Sequence, residues 1–161
     1  MSEPLPSVSE LAKMIDHSLL HPTMTDDDVI EGCRIAVRYQ VATACVKPYA
    51  VEMAAELLQD SSVEVSTVAG FPHGNSTIEM KCREAEDVVN HGASEVDMVV
   101  NIGKVLGGNW EYVNREIGEV NKVVVKKGGI LKVIFENDFL QDEHIIFFII
   151  FPQYSNRYML T

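Results

Sequence analysis

The feature that most limits how this chain can fold is a repeated alternation of short β-branched runs with longer amphipathic ones. Residues 41–46, 63–69, 95–101 and 130–136 read as strands. Residues 7–15, 25–39, 49–58, 76–91, 110–127 and 141 onward read as helices. Short connections between unlike elements argue for α/β architecture around a parallel sheet. The helix boundaries carry their own signals. Ser7 followed by Glu10 reads as a capping box. Thr25 caps the next helix, with Asp26, Asp27 and Asp28 on its positive end. Val29, Ile30, Cys33, Ala36 and Val37 form that helix's apolar stripe. Gly92 and the Gly128-Gly129 pair stop two later helices.

Strand alternation then assigns faces. Thr43, Cys45 and Lys47 oppose Ala44 and Val46. Glu95, Asp97, Val99 and Asn101 oppose Val96, Met98 and Val100. Lys132, Ile134 and Glu136 oppose Leu131, Val133 and Phe135. One face of each strand is apolar and suited to lie under helices, while the other carries functional groups. That is the pattern of a β/α barrel, helices outside and chemistry inside. An open doubly wound sheet shares the alternation and stays open at this point. A (β/α)₈ barrel takes about 250 residues. The chain has 161, so its four units make about half of one.

Composition removes several classes. With 24 Asp+Glu against 13 Lys+Arg the net charge is −11, which disfavours phosphate backbones and hence nucleic acid as a partner. The longest apolar run, residues 145–151, is far short of the ~20 residues of a membrane span. The first residues lack the basic head and apolar stretch of a secretory signal. Cys33, Cys45 and Cys82 cannot all pair and form no CxxC, which suits a reduced, cytoplasmic protein.

Asp97 and Lys132 are the sharpest candidate pair. An acid and an amine facing inward on neighbouring strands can shift each other's pKa and relay a proton. They can equally form an ion pair that fixes register. His17 and His21 have a spacing that can hold a metal on a helix, but Pro22 follows at once and no third ligand is evident. A loop carrying surface histidines is the expected reading, with no metal or cofactor. Gly70-Phe71-Pro72-His73-Gly74 follows a strand: a rim loop, with glycines required by turn dihedrals and His73 left open. Cys45, without a basic neighbour, reads as a small hydrophobe rather than a nucleophile.

Five ordered blocks carry a resemblance. These are Ile15-Asp16-His17-Ser18-Leu19-Leu20, Ala44-Cys45-Val46-Lys47-Pro48, Val68-Ala69-Gly70-Phe71-Pro72-His73-Gly74, the segment 92–101 around Glu95-Val96-Asp97, and Leu131-Lys132-Val133-Ile134-Phe135-Glu136. Together, over residues 8–144, they resemble the deoxyribose-phosphate aldolases. The resemblance implies a TIM-barrel fold and a metal-free class I aldolase of deoxyribonucleotide catabolism. Such an enzyme cleaves 2-deoxy-D-ribose 5-phosphate reversibly to acetaldehyde and D-glyceraldehyde 3-phosphate, through a lysine Schiff base. Its partners would be a phosphosugar and an aldehyde. By motif, Asp97 resembles the proton-relay aspartate and Lys132 the lysine beside the Schiff-base lysine. Asp16 resembles an aspartate supporting that network, and Cys45 a cysteine lining the aldehyde pocket.

The resemblance also implies what this sequence lacks. No segment resembles the family's Val-Lys-Thr-Ser-Thr-Gly, which holds the Schiff-base lysine, nor its later Lys-Pro-x-Gly-Gly. The glycine- and serine-rich phosphate turns are missing as well. Lys132 is a poor substitute, because imine formation needs a neutral amine and Asp97 would favour the ammonium. The expected organisation is residues 1–144 as the first half of the barrel and 145–161 as an unrelated apolar tail, as in a truncated or frame-shifted product. The expected function is that of the family, with the chain inactive alone. The alternative is a non-catalytic half-barrel whose open sheet edges drive self-association, a homo-oligomer, or binding to full-length aldolase subunits.

Overall fold

The computed structural model describes residues 5–150 and 158–160. The chain opens with a short helix, α1 (Val8–Ala12), closed by the expected reciprocal cap: Glu10 N donates to Ser7 Oγ and Ser7 N to Glu10 Oε2. None of α1 is buried. Then β1 (Asp16–Leu19) and α2 (Asp26–Tyr39) follow, and after them β2 (Thr43–Val46), α3 (Val51–Leu58), β3 (Glu64–Ala69) and α4 (Ile78–Asn90). Next come β4 (Glu95–Val99), the short α5 (Ile102–Leu106), α6 (Trp110–Lys126), β5 (Ile130–Ile134), α7 (Asp142–Ile150) and β6 (Tyr158–Leu160). The sheet order is β1-β2-β3-β4-β5-β6, every neighbouring pair parallel.

Two strands correct the sequence reading. The first part of the expected histidine-bearing loop, with His17, is β1, hydrogen-bonded along β2 from Asp16↔Thr43 to Leu19↔Val46, while His21 lies in the loop that follows. Its polar composition hid it: one buried residue, Leu19, in four leaves no visible alternation. Five strands therefore precede the tail, where four were expected. The second is β6, which pairs with β5 (Leu131↔Tyr158) in a stretch without sequence periodicity. The expected boundary at residue 144 falls within α7. Residues 151–157 and 161 of the expected tail lie outside the described residues.

The core lies between the sheet and its helices. Leu19, Ala44, Val46, Val65, Val96, Met98, Leu131 and Val133 form one cluster with Val29, Cys33, Ala36, Val51, Ala54, Val88, Val120 and Val124 of the helices. Cys45, Val68 and Val99 are buried but outside that cluster, on the opposite face. On α2 the apolar stripe is rotated slightly from expectation. Val37 is exposed, and Gly32 faces the sheet. A Cβ at Gly32 would lie 2.3 Å from Leu19 Cδ2, so β1 packs where α2 has no side chain.

One inner-face contact measures the curvature. Three strands separate β1 from β5, which in a flat sheet would place them about 19 Å apart. Lys132 Nζ on β5 nevertheless lies 2.6 Å from Asp16 Oδ2 on β1. The sheet must curl strongly for this, as it does in a barrel wall.

Candidate functional site

The inner face gathers the predicted residues around one ammonium. Register places Asp97 directly beside Lys132, as strand alternation requires. Lys132 Nζ contacts three carboxylates: Asp16 Oδ2 at 2.6 Å, Glu95 Oε2 at 2.7 Å and Asp97 Oδ1 at 3.5 Å. The expected Asp97–Lys132 contact exists, but it is the longest of the three. Glu95 is the partner that sequence reasoning overlooked. It lies two residues before Asp97 and therefore on the same face, which was the available signal.

Asp16 is held from its other side. Thr43 Oγ1 donates to Asp16 Oδ1 at 2.7 Å and lies 2.8 Å from Ser66 Oγ. A hydroxyl has one proton, so Ser66 donates to Thr43 and a hydroxyl chain runs across β1, β2 and β3. Asp97 is less well provided. Its Oδ1 is buried and accepts no hydrogen bond among the described residues.

These surroundings push the groups in different directions. Burial raises the Asp97 carboxyl to about 6, with the Lys132 ammonium only partly opposing and the Asp16 charge adding to the rise. Burial also acts to raise Asp16. There, however, the hydrogen bonds from Lys132 and Thr43 and the ammonium charge outweigh it, and the carboxyl stays below its ordinary range. Burial would lower Lys132, yet the bonds to Asp16 and Glu95 and the charge of Asp97 outweigh it and hold the amine above the ordinary lysine range. Burial pushes the Cys45 thiol up to about 11. Beside Glu95, the site therefore contains a fixed ammonium, a fixed carboxylate, an inert thiol, and one carboxyl raised toward neutrality. That last group is suited to taking and returning a proton.

A cavity of about 370 Å³ opens at the C-terminal ends of β1–β3, between Leu20, Pro22, Pro48, Val68, Phe71 and Pro72, with Lys47 and Glu84 as its charged groups. Lys47 Nζ donates to Met24 O at 2.7 Å. In β/α barrels this rim is where function collects. The loop from Gly70 to Gly74 forms part of the wall. Both glycines have positive φ, 62° and 65°, so the turn reading of this motif holds, and His73 is exposed. A Cβ on Gly74 would lie 1.9 Å from the Val100 carbonyl oxygen. Gly74→Ala is therefore expected to destabilise the chain by about 3 kcal/mol, from left-handed strain plus overpacking. Urea denaturation would show this as a lower midpoint at unchanged slope.

The histidine pair is separated by secondary structure. His17 is on β1, and His21 follows it in the loop, with Nδ1 2.8 Å from Thr23 Oγ1. The helical i, i+4 geometry does not arise. Among the described residues no group of three or more His, Cys, Asp or Glu is placed to hold a metal ion. No described helix is long and apolar enough to cross a membrane.

Comparison with known proteins fits this arrangement. The profile of the DeoC/LacD family aldolases matches residues 11–145. The chain belongs to that aldolase family. It is 48% identical over 137 residues to a deoxyribose-phosphate aldolase of Rhodopirellula baltica, covering 85% of this chain and 57% of that protein. It is 46% identical over 141 residues to one of Caldanaerobacter subterraneus subsp. tengcongensis, covering 87% and 61%. Among solved structures, the tetrameric deoxyribose phosphate aldolase of Aeropyrum pernix superposes with a TM-score of 0.87 at 30% identity, over 97% of this chain and 65% of that one. The fold is thus the aldolase β/α barrel, represented here by its first five strands. The DeoC/LacD-family chain spans about 60% of the length of these curated relatives.

Proposed function

We propose that this chain carries the proton-handling part of a deoxyribose-phosphate aldolase site. The observation that supports this is the inner-face cluster, with Asp97 as a proton carrier beside the fixed Lys132 ammonium. Retro-aldol cleavage of a 2-deoxypentose phosphate breaks the bond between C2 and C3. A base takes the C3 hydroxyl proton as that carbon becomes an aldehyde, and the bond's electron pair moves toward an iminium at C1. A proton is then returned to C2. Asp97 has the acidity for both proton steps. Lys132 fixes the charge around it, and Asp16 fixes Lys132. Cys45 contributes a compact wall on the inner face. The iminium needs a neutral amine, which Lys132 does not offer while three carboxylates surround it.

Borohydride trapping with acetaldehyde, read by peptide mass spectrometry, should therefore leave Lys132 unmodified. An ethyl adduct concentrated on Lys132, and lost in Lys132→Met, would overturn this assignment of roles. The constructive test is complementation. Co-expression with the part of the Rhodopirellula baltica relative that lies beyond its match to this chain should give retro-aldol activity on 2-deoxyribose 5-phosphate. That activity should be abolished by Asp97→Asn. Co-purifying fragments with no such activity would refute the proposal.

A second reading is favoured by the sheet order. Among the described residues β1 stands at one end of the sheet and pairs with β2 alone, and such edges invite pairing. On this reading the chain is a non-catalytic partner that binds itself or full-length aldolase subunits. Analytical ultracentrifugation showing a monodisperse monomer, with no association to an added full-length aldolase, would exclude it.

A further inference from the structure

Behind the rim lies a second ion pair that the proposed chemistry does not use. Lys81 of α4 and Glu116 of α6 are both fully buried, with Nζ 2.7 Å from Oε1. We propose that this pair is a positioning device that fixes the loops after β3 and β4 to each other across the mouth of the candidate site. The importance of that mouth rests on the aldolase reading above; the device itself rests on geometry alone.

All three ammonium protons of Lys81 are committed. One goes to Glu116, one to Gly74 O at 2.8 Å and one to Val99 O at 2.7 Å. The second carboxylate oxygen of Glu116 accepts from Asn101 N at 2.8 Å. The pair thus touches the end of the Gly70–Gly74 loop, the last residue of β4, and the residue that caps α5 through its side chain. The start of the same loop also rests on α4. Gly70 N donates to Glu84 Oε2 at 2.8 Å, and a Cβ on Gly70 would meet Lys81 Cε at 2.6 Å. Phe71 and Pro72, the wall of the rim cavity, lie between these two anchored ends.

Net stability does not explain such a pair. Desolvation offsets much of the attraction, and well-packed apolar residues often serve as well. What apolar residues cannot do is satisfy Gly74 O, Val99 O and Asn101 N together. These three groups belong to two separate segments, and their common partners hold the segments at one spacing.

Amide hydrogen exchange on the ¹⁵N-labelled full chain tests this. In Lys81→Met/Glu116→Leu, which fills the space without the bonds, the Gly74 and Asn101 amides should exchange at least about tenfold faster. The amides of Ala36 on α2 and Val46 on β2, residues to which the pair makes no hydrogen bond, should keep their rates. Unchanged protection at Gly74 and Asn101 would show that the pair only fills volume. Uniform acceleration would show a general stability element. Either result overturns the proposal. Should the double variant not fold, Glu116→Gln decides. It keeps an acceptor for Lys81 but turns an NH₂ toward the Asn101 N–H. The Asn101 amide alone should loosen while Gly74 stays protected, and an unaltered Asn101 overturns the proposal. No substrate enters this experiment, so its failure leaves the complementation test intact, and the reverse holds as well.

Discussion

Lys132→Met is expected to destabilise the chain by about 3–5 kcal/mol at neutral pH, the usual range for removing one partner of a buried ion pair. Methionine has similar length and is apolar, so packing is nearly conserved and the loss is electrostatic. It leaves Asp16, Glu95 and Asp97 facing one another without their shared cation. Asp16 retains 40% side-chain exposure and Glu95 20%, so solvent relieves part of the repulsion and the lower end of the range is expected. The pH dependence identifies the cause. Repelling carboxylates have raised pKa values in the folded state, so that state binds more protons than the unfolded one, and stability recovers as pH falls. Urea titrations at neutral pH and near pH 4 should show the deficit shrinking on acidification. A deficit independent of pH would assign it to packing instead.

The second large effect has the opposite sign. The Asp97 carboxyl titrates at about 6 in the folded chain against an ordinary 3.8. Its ionised form is thus disfavoured by the fold. Stability linked to this group is fully present below about pH 4 and is lost as pH rises through about 6, a total of roughly 2–3 kcal/mol at one pKa unit per 1.36 kcal/mol. Asparagine cannot ionise. Asp97→Asn should therefore match the parent near pH 4 and exceed it by about that amount at pH 8, measured by denaturant midpoints. The same substitution should remove activity in the complementation assay. A residue that weakens the fold at working pH yet belongs to a charge cluster is the pattern expected of a functional group. Equal stability of variant and parent at pH 8 would contradict the burial argument.

How much was legible in the sequence follows from where the information lies. Period-two alternation placed Asp97 and Lys132 side by side, because that pairing needs only two neighbouring strands and their faces. The same rule contained Glu95, which went unused because a strand's first residue reads easily as a solvated end. Asp16 could not be joined to Lys132 by spacing, since 116 residues separate them and only the curl of the sheet brings them together. The strand carrying Asp16 was hidden for a related reason: its single buried apolar residue, Leu19, gives no period to detect. The Lys81–Glu116 pair left no trace either. Each residue lies among other charged residues on a helix whose hydrophilic face looks ordinary, and burial arises from how α4 and α6 meet. The glycines of the Gly70–Gly74 loop, by contrast, announced their backbone geometry directly.

The sheet order has a consequence for how the molecule is made. Each strand lies beside the one synthesised just before it, so a nascent chain can add layers from its amino end without waiting for distant sequence. The inner charges do not share that convenience. Asp16, Glu95 and Asp97 emerge from the ribosome before Lys132 does, and until it arrives the growing wall carries three acids with no counterion from β5. The fifth strand is thus a latch. When it docks, its single lysine turns a set of repelling groups into a closed cluster, and a later strand secures the first.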